Sequence, residues 1–217
     1  MQTQLHTVSK LAAALLLCGL AAHAIAAGTV VLDTFGPGDS ADQWASDLKH
    51  TATGQQDIAI SFTMASAGSI ASILTSIEGW GEPGGVTLGI MARQGGVPTG
   101  NTWLYSAHLD SPTANTLLSP TGWTLAAGNY WLTAVADDGF DGIWASGTNT
   151  PSAAWAYGNA SGWQPVTSTL IGPAAARITL AAAVPEPSTY GLMLAGGLLL
   201  AAVARRRSGQ SGNRQQG

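Results

Sequence analysis

Cysteine and positive charge are scarce in this sequence. Its one cysteine, Cys18, lies in an N-terminal apolar run, so the chain beyond that run has no thiol for a disulfide or for thiolate chemistry. Between Asp33 and Glu186, twelve acidic residues stand against three basic ones, a net charge of −9. Because phosphate backbones are bound by basic surfaces, this balance argues against nucleic acid as a partner.

Groups for catalysis are also few. The sequence has no GxSxG nucleophile elbow, no HExxH motif and no phosphate-binding loop. Beyond residue 26 there are two histidines, His50 and His108, too few for a structural zinc site of the usual kind. We therefore predict that the protein is not an enzyme. The alternative is a hydrolase, in which one of these histidines would meet a carboxylate and a nucleophile in a cleft.

The N-terminus has the parts of a secretory signal peptide. A polar segment with one lysine precedes the apolar run 11–22, and small residues follow, among them Ala24 and Ala26. The run has about a dozen residues, fewer than the ~20 that a membrane-spanning helix needs. We predict a signal peptide over 1–26, cut by signal peptidase after Ala26. Cleavage after Ala24 and a retained N-terminal anchor are the alternatives. A leucine precedes Cys18 where a lipoprotein signal needs a small residue, so this cysteine belongs to the leader.

The C-terminus carries a second signal with three parts. In order these are Pro185, Glu186 and Pro187, an apolar run over 189–204, and Arg205, Arg206 and Arg207. The prolines fix φ and keep the first part extended. The apolar run predicts a single transmembrane helix of about 24 Å, against a hydrocarbon core of ~30 Å. Flanking arginines stay cytoplasmic, so we expect the body outside and the polar tail 208–217 inside.

This three-part layout, over 184–207, resembles the PEP-CTERM sorting signal of Gram-negative bacteria. The resemblance implies recognition by an exosortase, a membrane-embedded, cysteine transpeptidase-like enzyme. The exosortase would cut near the Pro-Glu-Pro motif and transfer the body to another anchor or release it. The resemblance also implies a precursor anchored in the inner membrane and a mature form at the cell surface or in the extracellular matrix. An ordinary single-pass anchor with a proline-rich stalk is the alternative.

The body, 27–183, has the pattern of short strands separated by turns. Residues 57–63 alternate between apolar and small or polar side chains, as in a half-buried strand, and 86–90 repeat the pattern. Residues 130–135 are rich in strand formers and follow a Gly-Asn turn signal. The one weak helical signal is a turn over 41–49. We predict an all-β extracellular domain, a β-sandwich or jelly roll.

The body also resembles the choice-of-anchor domains found with PEP-CTERM tails, most closely type R. The segments that carry this resemblance are VLDTFGPGDS at 31–40, QQDIAISFT at 55–63, the run 69–77, VTLGIM at 86–91, GGVPTG at 95–100, LAAGNYWLTAVADDGFDGIWA at 125–145 and AAWAYGNASGWQ at 153–164. The resemblance implies an extracellular module without an established activity. It also implies association with exopolysaccharide, so the predicted role is that of a structural surface or matrix protein.

Tryptophan is abundant, with eight copies, all in the body. Exposed aromatic faces can stack on sugar rings, which makes a carbohydrate-binding module the second hypothesis for function. The candidate residues cluster late in the chain: Trp144, Trp155, Tyr157 and Trp163. The alternative is that these rings fill the core, where an indole N–H needs only one partner.

One turn has the composition of a cation site. Asp137, Asp138 and Asp141 place three carboxylates within five residues, and carboxylate oxygens are ligands that Ca²⁺ prefers. We predict this turn as a candidate calcium site, and no other cofactor. A solvated Asp-Gly turn between two strands is the alternative. His108 and Asp110 would share one face of a strand, which suits either a metal or a polar sheet edge.

Overall fold

The computed structural model of the chain describes residues 28–81, 84–99, 102–149, 151, 153–167, 172–182, 191 and 193–201. The predicted signal peptide, the Pro-Glu-Pro motif, the arginine cluster and the polar tail lie outside these residues. The chain divides into two units. One is Ala27–Ala181, and the other comprises Met1–Ala26 with Ala182–Gly217.

The regular structure of the first unit consists of strands and one 3₁₀ turn, which confirms the prediction of an all-β fold. A 3₁₀ turn over Pro37–Asp39 follows the first strand. The strands are β1 (Val30–Asp33), β2 (Ala41–Thr51), β3 (Gly54–Met64), β4 (Gly68–Thr75), β5 (Ile77–Gly79), β6 (Gly85–Ala92), β7 (Tyr105–Asp110), β8 (Thr116–Leu118), β9 (Thr124–Leu125), β10 (Gly128–Ala136), β11 (Asp141–Gly147), β12 (Trp155–Asn159), β13 (Gly162–Pro165) and β14 (Ala176–Leu180).

The strands form two antiparallel sheets. The five-stranded sheet has the order β1-β14-β4-β8, with β9 paired to β4. The nine-stranded sheet has the order β5-β11-β2-β3-β10-β6-β7, with β12 paired to β3 and β13 paired to β12. One edge of β3 is shared by two partners: β2 pairs with it as far as Gln56, and β12 pairs with it from Asp57. The nine-stranded sheet therefore forks at this point.

Side chains of both sheets meet in one apolar core. Ile73 and Ile178 enter it from the five-stranded sheet, and Ile60, Leu132 and Trp144 enter it from the nine-stranded sheet. All five are fully buried. The predicted strands over 57–63 and 86–90 send their alternate apolar residues into this core, as expected from a period of two. Two sheets around one core is the layering of a sandwich, and the choice between sandwich and jelly roll stays a prediction.

The opposite side of the nine-stranded sheet, here called the outer face, is covered as well. A second cluster lies on it, formed by Ala59, Met91, Trp131 and Ala156, with Val97, Trp103, Ala154 and Trp163 packed around them. Asp57 and Ser61, which alternate with the core residues of β3, are also buried. The prediction of a half-buried strand over 57–63 is therefore wrong for most of its outer positions, because later segments of the chain pack on them.

The helical turn predicted over 41–49 is also wrong. These residues belong to β2, which pairs with β11 from Lys49 to Ala45 before the register shifts. Ladder hydrogen bonds to β11 outweigh a weak local preference for helix, because strand formation depends more on the neighbouring strand than on local propensity. Trp44 stands at the register shift, and its residue surface is 59% exposed.

Candidate functional site

Trp144 cannot act as a carbohydrate platform. Its side chain is fully buried in the core, and its indole N–H donates to the carbonyl of Ala175 at 2.9 Å. A ring without exposed surface cannot stack on a sugar. This part of the predicted set is wrong, because β11 turns Trp144 toward the five-stranded sheet.

The three other predicted aromatic residues do not form one row. Trp155 and Tyr157 are register partners of core isoleucines of β3, so both lie on the core side of the sheet. Trp163 is the register partner of Gly158. Gly158 directly follows Tyr157 on β12, so it and Trp163 lie on the opposite side of the sheet, the outer face. All three are half-buried. Trp163 alone therefore combines the outer face with a partly exposed indole.

Trp163 borders a cleft of about 410 Å³ on the outer face. The fork of the sheet builds this cleft, because the β12–β13 hairpin lies along the edge of β3 that β2 has left. Its lining is mainly polar and includes Gln55, Asp57, Pro98, Gly158, Asn159 and Trp163. An aromatic ring beside two amides and a carboxylate can combine apolar stacking with directed hydrogen bonds.

The Trp163 indole lies flat against Gly158. A Cβ atom added at Gly158 would stand 3.1–3.2 Å from three ring atoms, Cδ2, Cε2 and Cε3. Cδ2 is a fused-ring atom and can be approached only through the face of the indole, so the backbone of Gly158 supports one face of the ring. Glycine is therefore the residue that lets the indole settle on the sheet.

Asp57 is the buried acid at the base of the cleft. Its residue surface is 5% exposed, and its two carboxylate oxygens accept hydrogen bonds from the Gln55 amide at 2.8 Å and from the Ala136 N–H at 3.1 Å. Burial raises the pKa of Asp57 above its usual range, and the two hydrogen bonds oppose this only in part. The carboxylate thereby holds the Gln55 side chain at the cleft.

A second polar cluster lies at the edge strand β7. The ring of His108 bridges two carboxylates: Nε2 is 2.5 Å from Asp137 and Nδ1 is 3.1 Å from Asp110. The hydrogen bond to Asp137 is the main reason that the pKa of His108 is raised. The imidazole lies over Gly85, where a Cβ would stand 2.6 Å from the ring. The cluster joins β7 to the turn after β10.

The predicted calcium turn is not assembled as a metal site. Asp137 is engaged by His108, and Asp141 is the register partner of Lys49 on β2. Within the part of the chain that the structure describes, which includes all three carboxylates, no group of three or more metal-ligating side chains lies close enough to hold an ion. Asp138 is exposed in the turn. The alternative of a polar turn between strands fits this geometry better.

The second unit contains a short helix over 191–201, in which residue 192 is not described. Its apolar side chains are exposed, for example Met193 at 73% and Leu200 at 74%. Among the described residues, no helix has both the length and the apolar character needed to cross a membrane. The predicted transmembrane helix over 189–204 therefore stays a prediction, since several of its residues lie outside the described part.

The order of the tail is that of a known processing signal. Residues 183–208 match the PEP-CTERM protein-sorting motif. The matched range contains the Pro-Glu-Pro element, the apolar run and the arginine cluster, as predicted. A PEP-CTERM motif implies an exported protein that is anchored in the membrane before an exosortase processes it.

Comparison with curated proteins and with solved structures yields no match. The PEP-CTERM match does not extend into the body, so the choice-of-anchor resemblance stays a prediction. Sequence reasoning missed Gln55, Asp57 and Asn159 as cleft residues. A signal for Asp57 was present, since it is the one acidic residue of β3 and directly precedes the alternating apolar residues of that strand.

Proposed function

We propose that this protein is a non-catalytic component of the cell surface or extracellular matrix. An exosortase releases it from its precursor at the PEP-CTERM tail, and it then associates with exopolysaccharide. The match of residues 183–208 to the PEP-CTERM motif carries the proposal. The body would be a choice-of-anchor-like sandwich, exported through a signal peptide over 1–26.

The order of the tail suggests how processing would work. The prolines at 185 and 187 lack N–H groups and fix φ, so they keep the cut region extended and outside regular structure. The arginines at 205–207 hold the far end of the apolar run on the cytoplasmic side. The motif would thus stand at the outer surface of the inner membrane, within reach of a membrane-embedded enzyme.

The engagement of His108 supports a non-catalytic role. Both ring nitrogens are occupied by carboxylates, so the side chain has no free position from which to activate a hydroxyl. A catalytic triad would need a nucleophile at one of these nitrogens.

Intact-mass measurement of the protein from wild-type cells and from cells that lack exosortase tests the sorting. We expect a wild-type form that begins near Ala27 and ends near Pro187, and a form that keeps its tail in the mutant strain. Extra mass at the new C-terminus would identify the second anchor. Arg214→Ala, outside the matched motif, is a control that should be processed normally. If wild-type cells retained residues through Arg207, the tail would be a plain anchor and the proposal would be wrong.

Carbohydrate binding is the second candidate function, and the outer-face cleft is the observation that favours it. The four predicted aromatic residues cannot form one binding surface together, because Trp144 is buried and the others are divided between two faces.

A further inference from the structure

We infer that the cleft between β3 and the β12–β13 hairpin is a binding site for a neutral polysaccharide. Trp163 would be the stacking platform, with Gln55 and Asn159 as hydrogen-bonding groups. Asp57 would act as the residue that positions Gln55. The inference deepens the proposed association with exopolysaccharide and rests on that proposal only for the source of the ligand.

The Trp163 ring is supported from behind by the sheet. A sugar ring presents a flat patch of C–H groups, and it stacks best on an aromatic face that is already fixed in place. The half-buried indole is backed by Gly158 and by the apolar cluster of the outer face. Little side-chain entropy is then lost when a ligand covers the exposed part of the ring.

Asp57 is buried at the cleft and positions the Gln55 side chain. A carboxylate that is 5% exposed is costly to keep in a fold, and its raised pKa reports that cost. It accepts one hydrogen from the Gln55 amide and so limits the orientations of this side chain at the cleft. Asn159 is held in a similar way, because its Oδ1 accepts the Ser161 N–H at 2.8 Å. Two oriented amides can each meet the hydroxyl groups of a sugar, which both donate and accept.

The cleft lining carries little charge. Among the described residues that line the cleft there is no lysine or arginine, and there is one carboxylate. The body as a whole is strongly acidic. An anionic polymer such as a uronate would be repelled by this charge and would find no cation among these lining residues to pair with. Neutral polysaccharides are not subject to this charge repulsion, so we expect the cleft to prefer them.

Titration of the exported, naturally processed protein with soluble polysaccharides tests the site. The probes are dextran and laminarin, which are α- and β-linked neutral glucans, with alginate as the acidic counterpart. Calorimetry measures affinity, and tryptophan fluorescence reports whether an indole is covered. We expect at least one neutral glucan to bind, and alginate to bind more weakly than that glucan.

Three variants locate the binding. Trp163→Ala should lower the affinity by about tenfold, whereas Trp163→Phe should retain most of it because a flat aromatic face remains. Trp44→Ala is the matched control, since Trp44 is 59% exposed and lies outside the cleft, and it should bind like the wild type. Thermal unfolding of each variant shows whether a loss of binding reflects a loss of fold.

Each other result would overturn the inference. If neither neutral glucan binds, or if alginate binds best, the ligand class is wrong. If Trp163→Ala binds like the wild type, or if Trp44→Ala abolishes binding, the site lies elsewhere. None of these results bears on sorting, because the mass of the processed chain is measured independently.

Discussion

The two faces of the nine-stranded sheet differ in what they bury. The core face carries large apolar side chains that meet the five-stranded sheet, and Trp144 there has its indole N–H satisfied. The outer face buries a smaller apolar cluster around Trp131 together with the Asp57 carboxylate, and it carries the half-exposed His108. The pKa values of Asp57 and His108 are both raised. The core face therefore contributes mainly to the stability of the fold, whereas the outer face carries the polar groups that could interact with a ligand.

Two buried tryptophans show the contrast most directly. Trp131 is as fully buried as Trp144, but it lies on the outer face under the guanidinium of Arg93, 4.9 Å from the ring centroid. Its Nε1 has no hydrogen-bond partner among the described residues, whereas that of Trp144 donates to Ala175. The two indoles are thus equally buried, but only the one on the core face has its N–H paired.

The largest effect is expected from Trp144→Ala. Removing this ring leaves a cavity between the sheets and takes away one of the two donors to the Ala175 carbonyl, which keeps the Ser76 N–H. The free energy of unfolding should fall by about 3–5 kcal/mol. Urea denaturation followed by circular dichroism measures it. Trp44→Ala, the exposed control, should change the free energy by less than about 0.5 kcal/mol. Similar losses at both positions would contradict the assignment of stability to the core face.

A matched pair of phenylalanine substitutions sharpens the comparison. Trp144→Phe removes an N–H that donates to the Ala175 carbonyl, which keeps the Ser76 N–H, whereas Trp131→Phe removes an N–H that is unsatisfied among the described residues. We expect Trp144→Phe to destabilise the protein by about 0.5–1.5 kcal/mol more than Trp131→Phe, the net contribution of one hydrogen bond. Chemical denaturation of both variants in parallel gives the difference. Equal losses would show that ring volume alone decides.

The pH dependence of stability tests Asp57. Burial raises the pKa of Asp57 in the folded state. Its contribution to the free energy of unfolding is therefore fully present below its unfolded-state pKa near 3.8 and is lost as pH rises through the folded-state pKa. The Asp57→Asn variant has no carboxyl group to titrate at this position, so it should not lose stability in this way. The Gln55 amide can rotate to keep its hydrogen bond to the new side chain. The free energy of unfolding of the wild type, measured relative to this variant, should therefore fall as pH rises above 3.8. A flat difference would mean that Asp57 is not desolvated.

The smallest effect is expected at His108. Because the pKa of His108 is raised in the folded state, its contribution to the free energy of unfolding is fully present below its unfolded-state pKa near 6.5. That contribution is lost as pH rises through the folded-state pKa. The side chain is 45% exposed, so screening should keep the contribution below about 1 kcal/mol. Melting curves across this range should show a larger effect of Asp137→Asn than of Asp110→Asn, because Asp137 makes the dominant hydrogen bond. The reverse order would contradict the geometry.

Local patterns were sufficient for much of the fold. The alternation over 57–63 and 86–90 predicted strands whose apolar residues do enter the core, because a period of two follows from strand geometry alone. The site was harder to predict. Asp57 is brought next to Trp163 by the fork of β3, and a pairing between residues about a hundred positions apart leaves no local pattern in the sequence.

The sequence by itself determined the sorting tail and the all-β class. Both depend on short-range order: three parts in succession for the tail, and alternating side chains bounded by turns for the strands. Only the tertiary structure decided which tryptophan is core and which lines a cleft. Trp144 and Trp163 are alike as residues and both lie in strands. The face that each ring occupies follows from the register and pairing of its strand, and only long-range contacts establish these.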